Sequence, residues 1–273
     1  ISSYSANYDL YVKTNLGVIK VGSAEYELLV TNNAYIFTNN ASTDNLWGAL
    51  YNYSLNETSI GLIVKNKLIG DYYKIIENQG DLGSDKYEIN IYPNEGYVLL
   101  NNELMVNGLI KSNLENLLDS ELILMAIDSG KSAKIKFAGD QSNDNNIPSY
   151  KKTLENRAEL IDALLKRKAN STDIVDALSI YLNISRDIQK FPNTKVFSYQ
   201  VVDKKGLVQR DFINNGFEKI NINNNEYDTI RVESPGLGLT LNISEDHNYM
   251  PVHISKTNGK TKFLLTLTNF KHL

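Results

Sequence analysis

The chain contains no cysteine. Disulfides, thiolate zinc sites and cysteine nucleophiles are excluded at once. Proline is scarce at 5 residues, and there is one tryptophan, Trp47. Histidine occurs only as His247, His253 and His272. No apolar run reaches the roughly 18 residues of a membrane-spanning helix. The 28 Lys and Arg are scattered among 32 Asp and Glu, for a net charge of -4. That balance gives no electrostatic reason to expect nucleic acid. There is no phosphate-cradling Gly-x-x-x-x-Gly-Lys, no Gly-x-Ser-x-Gly nucleophile elbow and no repeat of fixed period. No cofactor is implied by any motif.

What is present is an ordinary globular composition in 273 residues, 42% hydrophobic and 22% charged, enough for one large β domain or two smaller ones. Tyrosine is abundant, at 17 residues against 8 phenylalanines. A tyrosine suits a half-buried strand, because the ring packs while the hydroxyl stays wet. Residue 1 is Ile, which leads to the expectation that a signal segment has been removed or the chain truncated.

The first hundred residues read as strands. Tyr26, Leu28 and Val30 alternate, as do Tyr87, Ile89 and Ile91, and Asn- or Gly-bearing turns separate the segments. The middle changes period. Leu114, Leu117, Leu118, Leu122 and Met125 fit a helical stripe, and Leu154, Ala158, Ile161 and Leu165 fit one better. A further helix is expected from about 171 to 187, with Ser171 or Thr172 as N-cap and an apolar stripe of Ile174, Ala177, Leu178, Tyr181 and Leu182. Strands return in the last third: Phe197, Tyr199 and Val201 alternate, and segments at 228–234, 237–243, 250–256 and 261–270 follow. Asn258-Gly259 is the strongest hairpin signal. This is the pattern of a mainly β protein with helices, an antiparallel sheet carrying a helical insertion.

The order of motifs in the last third carries a resemblance. Asn223 to Glu233, then Leu239-Thr240-Leu241-Asn242-Ile243-Ser244, then Asn248 to Ile254 resembles a bacterial family of exported envelope proteins catalogued as domain of unknown function 3108. Ile174 to Leu182 is similar to that family's "D-x-L-S-x-x-x-x-L" helix, and Tyr8 to Tyr26, with Gly22-Ser23-Ala24, to its opening hairpin. The resemblance covers about 4–100 and 170–270. It departs at Leu241, where the family often carries Trp. Residues 103–168 have no counterpart. It implies a periplasmic or envelope location, no established activity, and a strongly curved sheet, a half-barrel, packed around a helix. At the level of fold it is also similar to periplasmic lipoprotein carriers, whose half-closed sheet leaves room for an acyl chain.

The expected organisation is one discontinuous sheet domain from 1–102 and 170–273, with a largely helical insertion at 103–169. The expected function is non-catalytic binding of a lipid or other amphipathic ligand in the concave sheet. Trp47, Ile174, Leu178, Tyr181 and Leu182 are the candidate contacts. The competing reading of that stripe is an ordinary core helix, and of Trp47 simple packing. A second reading is an envelope scaffold docking a protein partner through Leu154, Ala158, Ile161 and Leu165. A hydrolase comes third, built on Asp246-His247 and some serine. The loop 140–146 has oxygen donors at alternate positions, but Asn145 and Lys151 stand where a calcium loop needs Gly and Glu. A solvated loop and no metal are expected. His253 alternates with Val252 and Ile254 and is expected to face solvent.

Overall fold

The computed structural model describes residues 2–15, 17–31, 33–44, 52–64, 67–80, 83–92, 97–101, 103–106, 109–110, 174–203, 206–259 and 261–273. Its N-terminal half is a meander: β1 (Tyr4–Thr14), β2 (Gly17–Thr31), β3 (Ala34–Thr43), β4 (Tyr53–Val64), β5 (Lys67–Gln79), β6 (Ser84–Tyr92), β7 (Tyr97–Leu100), β8 (Glu103–Val106) and β9 (Leu109–Ile110). The chain is described again at β10 (Ile174–Asp176), which leads into helix α1 (Ile180–Lys190). A second meander follows: β11 (Val196–Asp203), β12 (Gly206–Ile222), β13 (Asn225–Ser234), β14 (Leu239–Ser244), β15 (Met250–Asn258) and β16 (Thr261–His272).

All these strands form one sheet, in the order β10-β11-β12-β13-β14-β15-β16-β1-β2-β3-β4-β5-β6-β7-β8-β9. The two sequence halves join where β16 pairs antiparallel with β1, from Tyr4 opposite His272 to Lys13 opposite Lys262. Every pairing is antiparallel except β10 with β11. The sheet does not close on itself: its end strands β10 and β9 are not neighbours in the hydrogen-bonded order. Instead β10 packs against β5, and its Asp176 reaches Ser59 of β4. Bulges at Asn7/Tyr8, Leu10/Tyr11, Ile60/Gly61 and Asn242/Ile243 help it bend. Glycine is required at two of these crowded places. A Cβ on Gly22 would lie 2.0 Å from the Ser42 carbonyl oxygen, and one on Gly61 would lie 2.1 Å from that of Ile69.

The fold is the mainly β, strongly curved, antiparallel half-barrel around a helix that the sequence pattern and the resemblance led us to expect. Period-two alternation decides which residues enter it. Tyr4, Ala6, Tyr8, Leu10 and Val12 of β1 are buried, as are Ala24, Tyr26 and Leu28 of β2. The α1 segment has two apolar sides. Leu178 and Leu182 join the cluster of β1–β7, while Ile180, Ile184 and Ile188 join that of β11–β15. One short helix thus fills the space between the two halves of the coil.

Several expectations need correcting. The helix does not run from 171 to 187. Ile174–Asp176 is a strand, and α1 starts at Ile180 and continues to Lys190. The spacing of Ile174, Leu178, Tyr181 and Leu182 mimics a helical stripe, yet Ile174, Val175 and Asp176 are all buried, as in a strand covered on both faces. Asp176 ends that strand by accepting the backbone N–H of Leu178 and Ser179 on Oδ1. The proposed caps Ser171 and Thr172 lie outside the described residues. Leu237 is not in a strand but in a single 3₁₀ turn, ended by Gly238 at φ 59°. In the last hairpin Asn258 pairs with Thr261, so the turn opens at Gly259 and Asn258 closes the ladder. A better two-residue turn went unread: Asn223 and Asn224, at φ 50° and 67°, join β12 to β13. The strands β8 and β9 extend the sheet into the stretch expected to start the helical insertion. The remainder of 103–169 lies almost wholly outside the described residues, including Leu154, Ala158, Ile161, Leu165 and the loop 140–146.

Candidate functional site

The interior of the coil is mostly occupied by side chains. Tyr8, Tyr35, Phe37, Tyr73, Ile89, Leu178, Ile184 and Phe212 are each less than 2% exposed. A cleft lies between α1 and the sheet. Tyr4 and Tyr8 of β1, Tyr26 and Leu28 of β2 and Phe37 of β3 form its inner wall. Met250, Pro251 and Ile254 of β15 form another, and Tyr181, Leu182, Ser185, Arg186 and Gln189 of α1 cover it. Its volume is about 90 Å³. A 150 Å³ apolar cavity takes one benzene, so this cleft holds a few waters or the tip of a larger molecule.

The rings around it touch in sequence. Tyr26 meets Tyr8 edge-on at 5.3 Å between centroids and Tyr181 at 6.3 Å. Tyr26 also meets Phe37 at 5.9 Å, and Phe37 meets Tyr4 at 6.3 Å. Such contacts are worth about 0.5–1.5 kcal/mol each beyond area burial, and they stiffen the wall. The hydroxyls differ in their partners. Tyr8 donates to the Pro251 carbonyl at 2.6 Å, fastening β1 to β15. Tyr4 and Tyr26 are 3% and 5% exposed, and their hydroxyls make no hydrogen bond to the described residues. Burial holds all these phenols far above their ordinary range, so they stay protonated and able to donate.

Beneath the cleft, a buried polar cluster locks α1 in place. Asp176 is fully buried. Its Oδ2 accepts the hydroxyls of Ser59 on β4 and Ser179 before α1, both at 2.7 Å. Tyr35 is 3.3 Å from the same Ser59 hydroxyl. Gly70 makes room: a Cβ there would lie 3.2 Å from Asp176 Oδ2. Nearby, Glu57 accepts Asn39 Nδ2 at 2.7 Å and the Tyr73 hydroxyl. Desolvation pushes both carboxyls up despite these donors. At the rim, Arg186 pairs with Asp187 at 2.8 Å, and Asp187 also accepts the Tyr199 hydroxyl at 2.6 Å.

The sequence-predicted residues fare unevenly. Tyr181 and Leu182 do line the cleft. Ile174 and Leu178 do not, and serve as core under it. Trp47 lies outside the described residues. Reasoning from sequence missed Tyr4, Tyr8, Tyr26, Met250 and Pro251; the tyrosine excess was the one signal for the first three. The hydrolase reading gains one contact, since His247 Nδ1 is 3.3 Å from Ser244 Oγ. That serine is fully buried, the pair is local to one 3₁₀ turn, and the His247 ring lies tilted against Tyr227 and edge-on to Phe270. His253 is not solvent-facing as expected. It is half-buried, lies 3.4 Å from Thr266 Oγ1, and is held below the ordinary imidazole range by burial. The β12–β13 hairpin tip, 220–223, borders the same shallow groove as His253. Among the described residues no group of three metal-ligating side chains occurs, and no helix is long and apolar enough to cross a membrane.

No protein-family model matches the chain, and no curated protein matches it. Among solved structures it is similar to a beta-barrel-like protein of domain of unknown function DUF1849 from Brucella abortus. The identity is 7%, the alignment covers 100% of this chain and 98% of that one, and the TM-score is 0.49.

Proposed function

We propose that the chain is a non-catalytic binding protein of the bacterial envelope, whose site is the tyrosine-lined cleft under α1. The observation that carries this reading is a small cavity with largely apolar walls onto which the Tyr4 and Tyr26 hydroxyls open, bonded to nothing among the described residues. Concave, mostly apolar, with a few convergent polar groups: these are the marks of a ligand site. The location rests on the resemblance of the 174–182 and 223–254 segments to exported envelope proteins.

The filled interior narrows the lipid-carrier idea. The cleft as the described residues form it is too small for a full acyl chain, so the end of an amphipathic ligand enters and the remainder stays at the rim. Burying three or four carbons at ~0.8 kcal/mol each contributes about 3 kcal/mol. That alone corresponds to a Kd weaker than about 1 mM. Tight binding therefore requires rim contacts or an outward shift of α1.

Native mass spectrometry of protein from its normal host tests the reading, with Ser185→Leu as the blocked control. Ser185 lines the cleft from α1, and a leucine there fills it. A bound mass in the wild type that is lost in the variant supports the site. Equal retention by both variants removes it.

A further inference from the structure

From the same cleft, and resting on the binding reading above, we infer the class of ligand: a neutral group with a carbonyl-type oxygen acceptor beside a short apolar portion, accepted through the Tyr4 and Tyr26 hydroxyls, with carboxylates excluded.

Two observations carry this. First, Tyr4 and Tyr26 are buried residues that line the cleft, and their hydroxyls bond to nothing among the described residues yet are not sealed from solvent, so they open on the cleft. An occupant that displaces water there must accept from these donors or leave them unsatisfied, so one that accepts is preferred over one that cannot. Tyr8 shows the contrast, because its hydroxyl is already committed to the Pro251 carbonyl. Second, among the described residues the sheet walls hold no cation. Tyr4, Tyr8, Tyr26, Leu28, Phe37, Met250, Pro251 and Ile254 are all uncharged, and Arg186 is the one basic residue among the described residues of the lining. It is already paired with Asp187 at the rim. A carboxylate in the cleft would lose its hydration with no counter-charge in return.

The volume sets the size. At about 90 Å³ the cleft takes a carbonyl and a few carbons in place of water, so of an aromatic ketone the acetyl end enters and the ring stays at the rim. An ester carbonyl of a neutral lipid and the carbonyl of a free small molecule share this chemistry.

The test uses four probes on the full chain, followed by calorimetry or ligand-observed NMR: acetophenone, its hydrocarbon counterpart ethylbenzene, benzoate, and dioctanoylglycerol as the lipid source. Wild type is compared with Tyr4→Phe, Tyr26→Phe and the double variant, which keep the rings. Near-ultraviolet circular dichroism checks that the fold is retained. The expected result is acetophenone binding that weakens about 5–10-fold in the double variant, the worth of a hydrogen bond. Ethylbenzene stays within about twofold, and benzoate binds at least about tenfold more weakly than acetophenone, since desolvating an unpaired charge is costly. The same tyrosine dependence with dioctanoylglycerol identifies a lipid ester as the source, and its absence identifies a free carbonyl compound. If ethylbenzene binds but the tyrosine hydroxyls make no difference, or benzoate matches acetophenone, the ligand class is wrong while the cleft stands. If no probe binds, both the class and the cleft reading fall.

Discussion

Replacing Asp176 separates two roles that its carboxylate plays at once. Oδ1 accepts the N–H groups of Leu178 and Ser179 at 2.9 and 2.7 Å, and Oδ2 accepts the hydroxyls of Ser59 and Ser179. In Asp176→Ala the two N–H groups stay buried and lose their acceptor. At about 1–3 kcal/mol each, the cost is about 2–6 kcal/mol. Against a typical domain stability of about 5–15 kcal/mol, that is a large fraction. In Asp176→Asn, Oδ1 remains for the two N–H groups. The new Nδ2 donates to the serine hydroxyls, which rotate to accept it. The asparagine also removes a charge that burial disfavours, so at neutral pH this variant is as stable as wild type or more so. Urea unfolding followed by circular dichroism measures both. With m about 3 kcal/mol/M, the alanine variant's midpoint falls by about 0.7–2 M, while the asparagine variant's does not fall. An alanine variant within about 0.5 kcal/mol of wild type would refute the lock.

Other outcomes follow from the same geometry. Asp176 and Glu57 both have folded-state pKa values raised by burial, so their favourable contribution is fully present below the ordinary carboxylate range and is lost as pH rises through the raised values. The stability advantage of a Glu57→Gln, Asp176→Asn double variant over wild type is therefore greatest at neutral pH and shrinks as the pH is lowered into the carboxylate range, read as the difference in urea midpoints. Tyr8→Phe costs about 1 kcal/mol, because the Pro251 carbonyl loses its donor, whereas Tyr4→Phe and Tyr26→Phe cost almost nothing in stability. Thermal melts of the three side by side check this. Gly22→Ala drives a Cβ into the Ser42 carbonyl and costs about 1–3 kcal/mol, while Gly236→Ala, whose nearest neighbour is the Arg210 side chain at 3.4 Å, is near neutral. Chemical denaturation of the pair tests that.

The sequence conveyed the sheet because strand alternation is local. Tyr26, Leu28 and Val30 announce their face without help from any other strand. The 174–182 stretch misled because two structures share its spacing. Ile174 and Leu178 stand four apart as in a helix, and the deciding event is Asp176 turning back on the next N–H groups while Ser59, 117 residues away, holds its other oxygen. The cleft was legible only as a surplus of tyrosine. Tyr4, Tyr26, Phe37, Tyr181 and Met250 come from five elements, and it is the β1–β16 pairing and the packing of β10 against β5 that bring them together. Tyr181 and Leu182 do sit on a helix whose apolar face packs on the sheet. Ile174 and Leu178 were grouped with them by a periodicity that the chain does not follow.

The most direct test of the cleft is the methyl resonance of Met250. The chain has 3 methionines, so the signals are few, and Met250 lines the cavity while only 4% exposed. In protein carrying ¹³C-methyl methionine, titration with acetophenone is predicted to shift the Met250 signal saturably, and Ser185→Leu to abolish that shift. A Met250 signal that stays fixed while the probe demonstrably binds would place the site elsewhere and contradict the account.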